Sequence, residues 1–257
     1  MKDLKGKTVL ITGATSGIGK AAAYKFAENG SRLILIARRK DRLEKISKEL
    51  EVKFKTEILT AEADVRYFEI VKTVVNGLSD DWNKIDILIN NAGLARGFST
   101  LFDGSVSDWN EMIDTNIKGL LYVTRCVVPL MLRNNSGHVI NIGSVAGREV
   151  YPSGNVYCAT KHAVDAITKG LRMELVDTPV KVTTIDPGLV RTEFSMVRYR
   201  GDSDKAEVAY SGMKPLTPED VAEAIIFSAT RNDNFVVAQM VLLPKAQAST
   251  MIIDRKN

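Results

Sequence analysis

Apolar residues fall along this chain in short, almost unbroken runs, separated by longer stretches in which they recur every three or four positions. The runs Thr8–Thr12, Leu33–Ala37, Ile85–Asn90, His138–Ile142, Val180–Ile185 and Phe235–Leu243 are rich in β-branched residues and predict strands buried on both faces. Thr56–Ala63 alternates and predicts one more. Between them, Lys40–Glu51 puts Leu43, Ile46 and Leu50 on one helical stripe, and Gly17–Asn29 ends against Gly30, a residue suited to leaving a helix. Thr217-Pro218 supplies a cap and a first-turn proline for a helix over Val221–Thr230. Strand and helix alternate, which predicts an α/β fold: a doubly wound parallel sheet of about seven strands with helices on both faces. No repeat, low-complexity tract or linker divides the chain, so residues 1–257 read as one domain. Val190 to Pro215 is polar, glycine-containing and weakly periodic, and a segment of that length predicts a functional lid.

Composition narrows the class without naming it. Of 257 residues, 45% are hydrophobic and 26% charged, enough apolar material for one large core and unlike a disordered chain. The net charge of +4 is scattered; the densest basic cluster, Arg38, Arg39, Lys40 and Arg42, is too short for a nucleic-acid surface and suits a small anionic ligand. Cys126 and Cys158 are too few for a disulfide framework and lack metal-ligand spacing, so reduced thiols and no metal are expected. There is no apolar leader run near Met1 and none of the ~20 residues that span a bilayer, so a soluble, cytoplasmic protein with no membrane partner is expected.

The first motif is Thr12-Gly13-Ala14-Thr15-Ser16-Gly17-Ile18-Gly19, between a predicted strand and a predicted helix. Glycines there let the turn tighten and let backbone N–H groups approach a pyrophosphate at the helix N-terminus, which predicts dinucleotide binding. The second strand ends Ala37-Arg38-Arg39 with no carboxylate, so the ribose end favours a 2′-phosphate, and NADP(H) is the expected cofactor. Asn91, Ala92 and Gly93, and Asp64-Val65, stand at strand C-terminal ends, where ligands bind in open α/β sheets; alone, either reads equally as turn chemistry.

Ser144 ends a buried run, and Tyr157 and Lys161 follow at i and i+4 on one helix face. Tyr210 and Lys214 share that spacing, but beside Gly212 and Pro215 and with no serine on a preceding strand. A hydride delivered to a carbonyl leaves an alkoxide that needs a proton donor. Tyrosine titrates near ~10, and a neighbouring Lys⁺ lowers that value, while Ser144 would orient the substrate oxygen.

With these motifs the chain resembles the short-chain dehydrogenase/reductase superfamily over essentially its whole length: TGATSGIG, NNAG, a serine before YCATK, and Pro187-Gly188 with Thr192. The resemblance implies a Rossmann-like fold and a catalytic tetrad of Asn116, Ser144, Tyr157 and Lys161, with Asn116, set mid-helix, holding a relay water. It also implies that Pro187, Gly188, Val190 and Thr192 lie against the nicotinamide, that Lys161 binds its ribose, and that the protein is a homo-oligomer, commonly a tetramer. Gly143 to Arg148, Tyr151-Pro152, Gly154 to Tyr157, Asp186 to Ser195 and Pro215 to Asp220 are similar to the NADP-dependent serine and 3-hydroxy acid dehydrogenases. A small 3-hydroxy acid would need a cation near Ser144 and Tyr157, for which Arg148, four residues past Ser144, and the lid residues Arg191 and Arg198 are candidates. The alternative is that they are solvated surface arginines. Two rival readings are a reductase of uncharged carbonyls and an NADP(H) sensor without turnover.

Overall fold

The buried runs become strands because their aliphatic side chains find apolar partners above and below. The computed structural model, which describes residues 3–256, contains β1 (Thr8–Thr12), β2 (Arg32–Ala37), β3 (Ile58–Glu62), β4 (Ile87–Asn90), β5 (Gly137–Ile142), β6 (Val180–Pro187) and β7 (Gln239–Leu242). They form one parallel sheet ordered β3-β2-β1-β4-β5-β6-β7. The helices are α1 (Gly17–Glu28), α2 (Lys40–Phe54), α3 (Phe68–Asn76), α4 (Val106–Ile113), α5 (Leu120–Arg133), α6 (Asn155–Glu174), α7 (Phe194–Arg198), α8 (Ser203–Val208) and α9 (Pro218–Ala229).

Successive strand residues point to opposite faces. Val9 and Ile11 of β1, with Leu33 and Leu35 of β2, pack under α1, α2 and α9 around Phe26, Leu43 and Ile225. Leu10 and Ile34, with Leu88 and Val139, face the other way, onto Val71 of α3 and Val123, Val127 and Met131 of α5. The strand order reverses between β1 and β4, and in such sheets the crevice at the carboxyl ends beside that reversal holds the ligand.

Most predicted boundaries hold to within a few residues, and the exceptions have local causes. The helix over Lys40–Glu51 runs on to Phe54 and stops where Lys55 adopts a left-handed φ of 53°. α9 begins at Pro218, where Thr217 Oγ1 accepts from the Asp220 amide (3.2 Å) and Asp220 Oδ2 accepts from the Thr217 amide (2.7 Å), a reciprocal cap. Of the run Phe235–Leu243 only Gln239–Leu242 joins the sheet; Phe235 is 47% exposed and its amide closes a turn onto Asn232. Apart from the helical setting of Asn116, no element was predicted between residues 106 and 133. There a π-helical turn (Asp114–Gly119) joins α4 to α5, and Pro129 lies inside α5, so the regular period is broken. The weakly periodic stretch from Val190 to Pro215 carries the short helices α7 and α8 and is tied back to α9's leading loop by a bridge from Val190 to Leu216.

Candidate active site

At the carboxyl ends of the strands lies a cleft of about 800 Å³, walled on one side by the β1–α1 turn and on the other by the segment after β6. Gly13 takes φ +65° and Gly17 φ +50°, conformations that side chains disfavour. A Cβ on Gly13 would lie 2.9 Å from Asn91 Nδ2, and one on Gly19 would overlap the Gly13 carbonyl. The turn is therefore a backbone cradle with no room for side chains, and it opens α1, whose first N–H groups face the cleft's anion end. Asn91 locks the cradle: its Nδ2 donates to the Thr12 and Gly13 carbonyls at 2.9 and 3.1 Å, while the Asn91 and Ala92 amides donate to Thr12 Oγ1. Such a cradle fits a pyrophosphate.

At the tip of β2, Arg39 Nη2 donates to Thr15 Oγ1 and Ser16 Oγ, both at 3.1 Å, so the arginine is part of the cradle's rim. Its Nη1 meets Glu193 at 3.1 Å, and Arg42 pairs with the same carboxylate at 2.8 Å. Arg38 is half exposed, with its nearest carboxylates, Asp64 and Glu111, at 3.9 and 4.0 Å. This basic rim fits a phosphate on the ribose. Asp64 also lines the cleft; burial alone would raise its carboxyl, but the bonds from Arg66, as short as 2.6 Å, hold it below the ordinary value.

The reacting end is assembled from β5, α6 and the segment after β6. Ser144, just past β5, accepts from the Ala146 amide at 3.1 Å, which fixes its hydroxyl toward the cleft. One turn apart on α6, Tyr157 and Lys161 are both buried and both line the cleft. Lys161 Nζ donates to the Ile142 carbonyl at 2.9 Å; burial pushes the ammonium down to about 8, with Asp186 opposing. Burial raises the Tyr157 phenol, as does Tyr151, while Arg198 and the Ser144 hydroxyl pull it back. In the free protein Tyr157 is thus held protonated.

Asn116 lies just behind. The π turn swings it inward, 2% exposed, where its Oδ1 accepts from the Leu94 amide (2.9 Å) and its Nδ2 donates to the Leu94 carbonyl (2.8 Å) and Thr160 Oγ1 (3.0 Å). It braces the loop after β4 rather than lining the cleft. Gly19 likewise lies behind the wall, whereas the other expected cofactor residues, Thr15 to Ile18, Val65, Gly93, Pro187, Gly188, Val190 and Thr192 among them, line it.

The expected substrate arginines divide. Arg148 does not reach the cleft: the short 3₁₀ turn Val145–Gly147 directs it onto β6, where its Nη2 and Nε meet Asp186 Oδ2 at 2.5 and 3.1 Å, and its Nη2 meets Asp165 at 3.4 Å. That expectation is corrected, since its guanidinium is held by two carboxylates. Arg191 points outward to Glu207 at 3.1 Å. Arg198, at the end of α7, lies in the cleft with its guanidinium carbon 5.2 Å from the Tyr157 ring centroid. Phe98, Tyr151 and Phe194 complete an aromatic box at 5.8, 5.7 and 5.8 Å. Its Nη2 donates to the Tyr151 hydroxyl at 2.6 Å, its Nε is buried without a partner, and no carboxylate of the described residues pairs with it. The box was not read in the sequence, where its rings lie in segments far apart. Tyr210, the control for the i, i+4 pair, is a buried strut of the lid: it accepts from Ser195 Oγ (2.9 Å) and donates to the Val190 carbonyl (3.0 Å).

The chain belongs to the short chain dehydrogenase family, whose model matches residues 7–202. It is 45% identical over all 257 residues, and 99% of the relative's length, to a protein named NADP-dependent 3-hydroxy acid dehydrogenase from Schizosaccharomyces pombe. It is 42% identical to sulfoacetaldehyde reductase 2 of Chromohalobacter salexigens, over 96% of this chain and 98% of that one. Among solved structures, the closed form of a serine dehydrogenase complexed with NADP+ superimposes with a TM-score of 0.90 at 42% identity, over 97% of this chain and all of that one.

Proposed function

We propose that this protein is an NADP-dependent dehydrogenase that interconverts the hydroxyl and carbonyl forms of a small 3-hydroxy acid or serine-like substrate. One observation carries the substrate class: Arg198, a cation boxed by aromatic rings against Tyr157, has no carboxylate partner among the described residues. A guanidinium that lines the cleft with no carboxylate to neutralise it is suited to a ligand anion, which a planar donor fork meets with charge-assisted hydrogen bonds. The relatives support this, because a hydroxy acid, serine and sulfoacetaldehyde all carry an acid group.

The Gly13–Gly19 cradle would hold NADP(H), with Arg38 and Arg39 at the 2′-phosphate and Asp64, Val65, Asn91 to Gly93, Pro187, Gly188, Val190 and Thr192 along its length, and the bound cofactor would supply the hydride chemistry. Arg198 anchors the acid group, and the Ser144 hydroxyl holds the reacting oxygen. Tyr157 gives its phenolic proton to that oxygen in reduction and takes it back in oxidation. The Lys161 ammonium favours the tyrosinate of the oxidative direction, and Asn116 holds the loop carrying Gly93 in place for the proton's exit. Residues 190–215 serve as the lid. A homotetramer in the cytoplasm completes the proposal, supported by the free thiols Cys126 and Cys158 and by apolar side chains exposed on α9 and β7 (Phe227, Val241). No helix among the described residues is long and apolar enough to cross a membrane.

The test pairs a 3-hydroxy acid with its methyl ester. Arg198→Ala should raise KM for the acid about tenfold or more, since a charged hydrogen bond contributes ~1.5–3 kcal/mol, and change that for the ester less than about twofold. Equal effects on acid and ester would assign Arg198 a packing role and remove the substrate class.

A further inference from the structure

The arginine displaced from the substrate side bears on the reacting side from beneath. Asp186 sits on β6, with a side chain only 3% exposed, and receives Arg148 at 2.5 Å and Thr184 Oγ1 at 3.4 Å. Its carboxylate fills the space over Gly143: a Cβ built there would overlap Oδ1. Gly143 lies between Ile142, whose carbonyl accepts from Lys161 Nζ, and Ser144. Arg148 is the residue that closes the turn after Ser144. The ion pair therefore clips both ends of the Ser144 turn to β6, and puts a buried negative charge against the strand end that holds Lys161.

We infer that Asp186, braced by Arg148, is a positioning residue: it fixes the Ile142–Ser144 backbone and supplies the counter-charge that keeps Lys161 an ammonium. The inference rests on the roles given to Ser144 and Lys161 above. The charged and titratable groups around it are few. Arg148 faces Asp186 from the Ser144 turn; Tyr157, Lys161 and Asp165 face the cluster from α6. Asp165 is itself tied to Lys169 at 2.6 Å and to Gln239 of β7 at 3.0 Å, with Arg172 nearby. Lys161 and Arg148 both favour the charged form of Asp186, against burial, which raises it. The arrangement is an alternating series that runs from the buried Lys161⁺ and Asp186⁻ through the partly buried Arg148⁺ and Asp165⁻ to Lys169⁺ at the surface.

The experiment reads the lysine itself, in the cofactor-free protein, by NMR titration of chains labelled at lysine ¹³Cε. Lys161→Met identifies the resonance by its loss. Wild type should titrate near 8, since burial lowers it and Asp186 holds it up. Asp186→Asn keeps the shape over Gly143 and removes the charge, so the titration should fall by about one unit or more, a tenfold change in the ionisation constant. Arg148→Gln should move it the same way, because Asp186 left buried without its guanidinium neutralises; Arg148→Lys should bring it back toward wild type. A titration unmoved in both Asp186→Asn and Arg148→Gln, whatever their melting temperatures, would overturn the inference. That failure would leave the catalytic assignment standing, since the titration does not involve turnover; loss of the assignment would show in the activity of Tyr157 variants instead.

Discussion

Tyr157→Phe is expected to lower kcat at least a hundredfold while the dissociation constant for NADPH stays within about twofold. The substitution removes one atom, the phenolic oxygen. The ring stays wedged edge-on against Phe194, centroids 5.5 Å apart, and beneath the Arg198 guanidinium, so the cleft keeps its shape. What goes is the phenolic proton proposed to reach the substrate oxygen, and a positioned general acid contributes typically 10²- to 10⁴-fold. Lys161→Ala should damage both turnover and binding, because the ammonium lines the cleft and lies 6.0 Å from the Tyr157 ring centroid. Initial rates with a fluorescence titration of NADPH separate the two; a Tyr157→Phe enzyme retaining more than about a hundredth of wild-type kcat would remove Tyr157 as proton donor.

The second large effect is on cofactor choice. Removing the Arg38 and Arg39 side chains together should raise KM for NADP+ by at least about tenfold and move KM for NAD+ less than about twofold, since each charged contact to the 2′-phosphate contributes ~1.5–3 kcal/mol and NAD+ lacks that group. Arg39 is placed for this by Thr15 and Ser16, but Glu193 shares it, so part of its charge is already offset in the free protein. Arg38, with carboxylates no nearer than 3.9 Å, is the less committed of the two. Ala37→Asp should shift preference toward NAD+ by adding the missing acceptor for a 2′-hydroxyl. Steady-state KM values for both cofactors decide it; equal losses for NADP+ and NAD+ would mean that the arginines only stabilise the β2–α2 corner.

What the sequence disclosed of this site is what local turns carry. Gly13, Gly17 and Gly19 act through their own backbone, and the strand–turn–helix setting is readable from neighbours, as is the i, i+4 relation of Tyr157 to Lys161. Arg148 failed because closeness in sequence to Ser144 says nothing of side-chain direction: one 3₁₀ turn reverses it, and its partner Asp186 comes from a strand 38 residues on. The aromatic box around Arg198 was out of reach for the same reason, since Phe98, Tyr151 and Phe194 meet only through tertiary packing. Asn116 points inward because a π turn breaks the helical period, and periodicity is the signal that would have located it. In the fold, the strands buried on both faces were legible as unbroken apolar runs. The edge strand β7, half exposed, was over-extended to Phe235, because apolar residues without a ladder partner look the same in sequence as those with one.

An NADP+-linked oxidation of an acid-bearing alcohol is read most directly from the protein's choice of substrate and cofactor. The direct measurement is kcat/KM of the wild-type protein for 3-hydroxypropanoate and for its methyl ester, each with NADP+ and with NAD+. The acid with NADP+ is expected to exceed the ester, and the acid with NAD+, by at least about tenfold, the value of one charged contact in each case. An ester turned over as well as the acid, or NAD+ serving as well as NADP+, would contradict it.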